Sequence, residues 1–210
     1  MRHVSLVVSV LVLMVAPLLL PATAKAGVSF QDQFRGQSAF ALFSSADPAD
    51  PCIVTEVFVF ATEGRVQEPP GPPTPEAFAF TTIARFHVCG GGVLLAAFGS
   101  TTTPDFQGDR ALKSATLAAT MTVEDVHSGS VFDVVFDVAW AGTGNPVRLN
   151  QHFHFQDPGF IVNFHVNEAS RQAVASGSVS DGVTDFTAGA PAEIAEIGWF
   201  SGGSVEVTVG

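Results

Sequence analysis

Arg148-Leu-Asn-Gln-His152-Phe-His154-Phe-Gln-Asp157-Pro-Gly-Phe160-Ile-Val-Asn163-Phe-His165-Val-Asn167 reads as two strands folded about one turn. Polar and apolar residues alternate on both sides of Asp157-Pro158-Gly159-Phe160, the period of a half-buried strand. A three-residue loop would put proline at the second central position of a type I turn or force Phe160 into the left-handed region, so the loop has two or four residues. Either length sets His152 opposite His165, His154 opposite Asn163 and Asn150 opposite Asn167, all on one face. Phe153, Phe155, Val162 and Phe164 fill the other.

The same alternation runs outward in both directions. Stretches rich in Val, Phe and Thr at 33–43, 53–62, 77–88, 93–100, 111–124, 131–140, 173–180, 192–200 and 204–209 are bounded by Gly, Pro, Asp, Asn or Ser. With 148–156 and 161–167 they make eleven candidate strands. No segment shows a helical period with caps, and parallel crossovers would need helices. The fold class is therefore all-β: an antiparallel β-sandwich or up-and-down β-barrel of about ten strands in a single domain, residues 27–210. The proline run 69–75 is expected to be an extended connector outside the sheet, and Asp47-Pro48-Ala49-Asp50-Pro51 to be a turn.

Two further registers are expected. A two-residue turn at Ser128-Gly129 would set Val123, Met121, Ala119 and Leu117 opposite Val134, Phe136, Val138 and Trp140, and would also bring Glu124 against Asp133 and Thr120 against Asp137. A disulfide joining the ends of neighbouring strands at Cys52 and Cys89 would place Glu56 opposite Arg85.

The N-terminus reads as an export signal. Met1-Arg2-His3 carries positive charge, residues 4–20 are almost wholly apolar, and Ala24-Lys25-Ala26 has the small-residue pattern of a cleavage site. Residues 1–26 are thus a signal peptide, and the protein is expected to be secreted, in a periplasmic or extracellular setting. There, an even pair of cysteines forms a disulfide by default. Cleavage removes Arg2 and Lys25, leaving seven basic residues against twenty acidic ones, a formal charge of −13. That balance excludes nucleic-acid partners and, with no second long apolar run, membrane insertion after cleavage.

Catalytic signatures are missing. There is no Gly-x-Ser-x-Gly nucleophile elbow, and the chain has no Tyr and two Trp, Trp140 and Trp199, a poor supply of carbohydrate platforms. A non-enzymatic structural or binding role is the leading expectation, with no particular partner specified. A metal-binding protein or metal-dependent enzyme is the alternative. It would use His152, His154 and His165, with Asp137 supplied by a neighbouring strand 131–140, around Zn²⁺ or a similar divalent ion; no other cofactor is expected. A second alternative is an apolar-ligand carrier whose cavity is lined by some of the nineteen Phe residues.

Overall fold

A computed structural model describes residues 29–68, 70–157 and 160–208; the expected export signal, residues 1–26, lies outside them. Ten strands, all paired antiparallel, form one sheet: β1 (Ser29–Ala46), β2 (Ile53–Gln67), β3 (Thr74–His87), β4 (Val93–Thr101), β5 (Asp105–Gly108), β6 (Ser114–Asp125), β7 (Val131–Gly142), β8 (Val147–Asp157), β9 (Phe160–Ser180) and β10 (Ile194–Thr208). The order is β10-β1-β2-β3-β4-β6-β7-β9-β8, with β5 beside β6. A further β10–β9 pairing closes eight strands into a ring that is not a regular barrel. Among the described residues no helix is long and apolar enough to cross a membrane.

Seven of the eleven expected strand stretches stand as single strands, and the other four fuse in pairs into β9 and β10. Strand β9 runs unbroken through Glu168–Gln172 because β10 covers one edge throughout, while the other edge passes from β8 to β7. Strand β10 likewise continues through Ser201-Gly202-Gly203, which reads as a turn in sequence. Here Gly36 lies opposite Phe200, and Phe34 opposite Gly202. Each ring covers the facing glycine so closely that a β-carbon would stand 2.7 Å from the ring edge. Aromatic cover of this kind keeps glycines in a ladder. The short β5 is not foreseen by alternation at all.

The inward face is set by alternation. Ala39, Ala41 and Phe43 of β1, Val57 and Val59 of β2, Ile83 of β3, Leu117, Met121 and Val123 of β6, Phe136 and Trp140 of β7, Val179 of β9 and Ile197 of β10 are buried together and fill one end of the ring. Trp140 Nε1–H donates to the Phe40 carbonyl at 2.8 Å, so the largest buried side chain is also satisfied. On the opposite face of β1–β3 a Phe ladder runs from Phe40 to Phe58 (6.1 Å between centroids), Phe80 (5.4 Å) and Phe60 (5.7 Å).

The β6–β7 hairpin departs from its expected register by two residues: Met121 faces Val134 and Leu117 faces Val138. The reason is Asp125. Its Oδ1 accepts from the backbone N–H groups of Ala96 (3.2 Å) and His127 (3.1 Å), and its Oδ2 from Ser128 Oγ (2.6 Å). This carboxylate organises a four-residue loop, closed by Asp125 N–H to the Ser130 carbonyl at 2.9 Å. An even shift keeps every side chain on its face. It also separates Glu124 from Asp133, which instead accepts from Thr122 Oγ1 at 2.7 Å.

Asp125 is 5% exposed. The Ser128 hydroxyl and then the backbone donors hold its pKa at about 2, below the ordinary 3.8. A depressed folded-state pKa gives stability that is complete above about pH 4 and lost as pH falls through about 2. Asp125→Asn is therefore expected to melt at lower temperature than wild type at pH 6, with the gap narrowing between pH 4 and pH 2. A gap that stays constant over that range would remove the carboxylate as its source.

Cys52 and Cys89 lie at disulfide distance, with Cα atoms 5.2 Å apart, an arrangement compatible with an extracellular location. They are not a ladder pair. Ile53 faces His87, so Thr55 rather than Glu56 is opposite Arg85. Cys89 stands in a turn one residue past Val88, the residue that lies across from Cys52, and that odd offset puts Glu56 and Arg85 on different faces. Arg85 finds Asp47 instead, at 2.6 Å. The turn reading of 47–51 holds: Asp47 and Asp50 side chains accept from the N–H groups of Ala49 (2.9 Å) and Cys52 (3.0 Å), and the Ala49 bond is the first cause of Asp47's lowered pKa. In the proline run, Gly71 N–H closes a turn on the Glu68 carbonyl at 2.8 Å. Thr74 and Pro75 then join the sheet opposite Val66 and Arg65, which corrects their expected exclusion. The β3–β4 ladder begins only at Ala79, so Pro75 sits where no ladder bond is required of its missing N–H.

Candidate functional site

The β8–β9 register is the one expected from the turn: His152 faces His165, His154 faces Asn163 and Asn150 faces Asn167. The rings of His152 and His165 are 4.3 Å apart, and His154 Nδ1 is hydrogen-bonded to Asn163 Oδ1 at 2.7 Å. Asp137 is elsewhere. The expected pairing of β7 with β8 does not occur, because both strands lie end to end along the same edge of β9, β7 on residues 173–180 and β8 on 160–170. Asp137 faces Ser178, thirteen positions along β9 from His165, about 40 Å at the usual strand rise. It also occupies the face of β7 opposite Phe136 and Val138. Among the described residues no three His, Cys, Asp or Glu side chains are grouped to hold a metal ion.

What the ring does bring together is a polar surface continuous with the core. Past Ala39 and Ala61, the inward positions of β1 are Gln37, Arg35 and Gln33, and those of β2 are Glu63, Arg65 and Gln67. Three rows cross the strands. One runs Arg148, Ala169, Trp199, Gln37, Glu63, Ala77; the next Asn150, Asn167, Ser201, Arg35, Arg65, Pro75; the third His152, His165, Gly203, Gln33, Gln67. The wall bounds an open cavity of about 1330 Å³. A second hollow of about 550 Å³ shares Arg35, Arg65 and Asn167 with it and reaches His165.

Strand β5 abuts the first row. Gly108 N–H donates to Glu63 Oε1 at 3.3 Å, and a β-carbon at Gly108 would collide with the Gln37 side chain. Any larger residue at 108 would have to push the Gln37 side chain aside. Gln37 Oε1 is buried there without a hydrogen-bond partner. Thr102 and Arg110, on either side of β5, complete the lining.

The lining is not the Phe-rich one considered as an alternative. The larger cavity has no Phe and the smaller has Phe34, because β1–β3 carry most of their Phe residues at even positions while the inward positions are odd. Phe34, Phe164, Phe200 and Phe153 pack with one another on the reverse of the polar wall, with centroids 5.7 to 6.2 Å apart. Glu168 also belongs to that reverse face, where burial raises its pKa. Burial raises that of Glu196 as well, with the Glu168 charge adding to the shift. The histidine pairing was readable from one hairpin; the arginines were not, since they come from β1, β2, β8 and the loop after β5, and no local pattern links them.

No family model and no curated protein matches the chain. Among solved structures, the enduracididine biosynthesis enzyme MppR with HEPES buffer bound is similar over 91% of this chain and 96% of its own, at 11% identity and a TM-score of 0.27. The same enzyme complexed with the condensation product of pyruvate and imidazole 4-carboxaldehyde gives 90% of each chain, 10% identity and a TM-score of 0.26. Likeness at that level says nothing about activity.

Proposed function

We propose that this is an exported, non-enzymatic binding domain that receives a small polar ligand in the open end of its strand ring. The observation that carries this reading is the cavity of about 1330 Å³, walled by hydrogen-bonding side chains from β1, β2, β8, β9 and β10 while the rest of the inward face is packed with apolar residues. An all-β scaffold with one filled end and one polar mouth is a common way to make a ligand site. The rigid core holds the strands, and the strands hold the donors.

Trp199 is a built-in reporter. The two indoles differ in setting: Trp140 is buried and bonded to Phe40, whereas Trp199 lines the cavity. Titration of the mature protein with mixtures of small polar molecules is expected to shift the Trp199 indole N–H resonance, identified with Trp199→Phe, and to leave the Trp140 resonance in place. Shifts confined to residues outside the cavity, or no shift with any mixture, would defeat the reading.

A further inference from the structure

We infer that the ligand of this cavity is a small anion, bearing carboxylate or phosphate groups, held between Arg35 and Arg65; the inference rests on the reading of the cavity as a ligand site. Arg35 and Arg65 are directly opposite one another on paired strands. Their β-carbons are then about 5 Å apart, and like charges so placed repel unless something of opposite sign lies between them. Among the described residues neither arginine has an ion-pair partner. The ion pair found among the described residues is Arg85 with Asp47, on a different part of the ring.

The distribution of charge points the same way. Residues 27–210 carry seven basic side chains against twenty acidic ones. Four of the seven, Arg35, Arg65, Arg110 and Arg148, line this one cavity. Of the three glutamates in the lining, Glu76 and Glu168 belong to the outward positions of β3 and β9, next to inward Ala77 and Ala169. Only Glu63 shares the inward face, and it already accepts from Gly108. Four arginines against three glutamates around this cavity give a local balance opposite in sign to the net charge of the acidic chain.

The residue types suit oxyanions. A guanidinium presents a planar fork of donors that matches a carboxylate or phosphate with two parallel hydrogen bonds. Two opposed forks can grip one multivalent anion from both sides. Asn167 and Ser201 continue the same row and Gln33 and Gln67 stand in the next, so neutral donors flank the charged pair.

The test uses the mature protein with its cysteines oxidised, and four probes: citrate, inorganic phosphate, acetate and glucose. Calorimetry and the Trp199 resonance are followed together. Citrate, phosphate or both are expected to bind at least tenfold more tightly than acetate, to shift Trp199, and to weaken as salt is raised. Whichever of the two binds more tightly identifies the group recognised. Arg35→Gln and Arg65→Gln should each weaken that binding tenfold or more. With no anion present, each variant should melt at or above the wild-type temperature, because the repulsion is gone; melting below wild type would overturn the claim that the pair is uncompensated. Anion binding that survives both substitutions would overturn the assignment to these arginines. Glucose shifting Trp199 while citrate and phosphate do not would defeat the anion inference but leave the cavity as a ligand site. No response at Trp199 to any of the four, nor to the wider mixtures, would defeat both.

Discussion

Cys52→Ala is expected to lower the unfolding free energy by about 2 to 5 kcal/mol, the range for losing a native disulfide from a small secreted domain. The two cysteines are 37 positions apart in sequence and 5.2 Å apart at Cα. Bonded, they close the whole β2–β3 hairpin into a loop, and on the chain-entropy account that alone is worth about 3 to 4 kcal/mol. Cys89 precedes Gly90, Gly91 and Gly92, so without the link that end of the hairpin gains freedom. Denaturant unfolding of oxidised wild type, reduced wild type and Cys52→Ala measures the effect. The reduced protein and the variant should share a lower midpoint than the oxidised protein. Three coincident midpoints would show that the bond contributes nothing.

Trp140→Ala is expected to cost about 3 to 5 kcal/mol, as large-to-small changes of buried aromatics do. Trp140 is 2% exposed and lies in the cluster formed by strands from every side of the ring. Its indole reaches from β7 to the backbone of β1, a sequence distance of 100 residues, so removing it both opens a cavity and uncouples two walls. Trp140→Phe separates the two effects. It keeps most of the volume but removes the indole hydrogen bond to the Phe40 carbonyl, which stays in the ladder opposite Glu196, a net loss of about 0.5 to 1.5 kcal/mol. Equilibrium unfolding should therefore rank wild type, Trp140→Phe and Trp140→Ala in falling order. A Trp140→Phe protein as stable as wild type would mean that the indole hydrogen bond contributes nothing to stability.

Both expectations draw on information of different origin, and the difference explains what could be read early. The cysteine pair belongs to one hairpin. So does the pairing of His152 with His165, where the proline in Asp157-Pro158-Gly159 limits the loop to even lengths. Where a side chain rather than the backbone type shapes the loop, the local reading slips. Asp125 recruits Ala96 from β4 as well as its own neighbours, and a turn read only from Ser128-Gly129 misses that long-range donor by construction. Cys89 slips for a related reason: a disulfide constrains a distance, and a distance of 5.2 Å is met as well by a diagonal arrangement as by a ladder pair.

The candidate site lies further still from local sequence. Asp137 falls beside the histidines only if the consecutive strands β7 and β8 pair, and they instead share an edge of β9 end to end. The arginine pair depends on β1 meeting β2 at one register, and its flanking Asn167 and Ser201 on β10 pairing with both β1 and β9.

Read alone, the amino-acid sequence determined the all-β class, the antiparallel sense and, strand by strand, which residues share a face, because side-chain direction alternates with a period of two and needs no knowledge of the neighbour. Only the tertiary structure decided that β10 closes the ring onto β1 and β9, that β9 carries two strands on one edge, and that Arg35, Arg65 and Arg148 meet around one cavity. The β1–β10 closure joins segments more than 150 residues apart, where no turn fixes the register and the choice is made by packing the whole ring around Phe43, Phe136, Trp140 and Ile197.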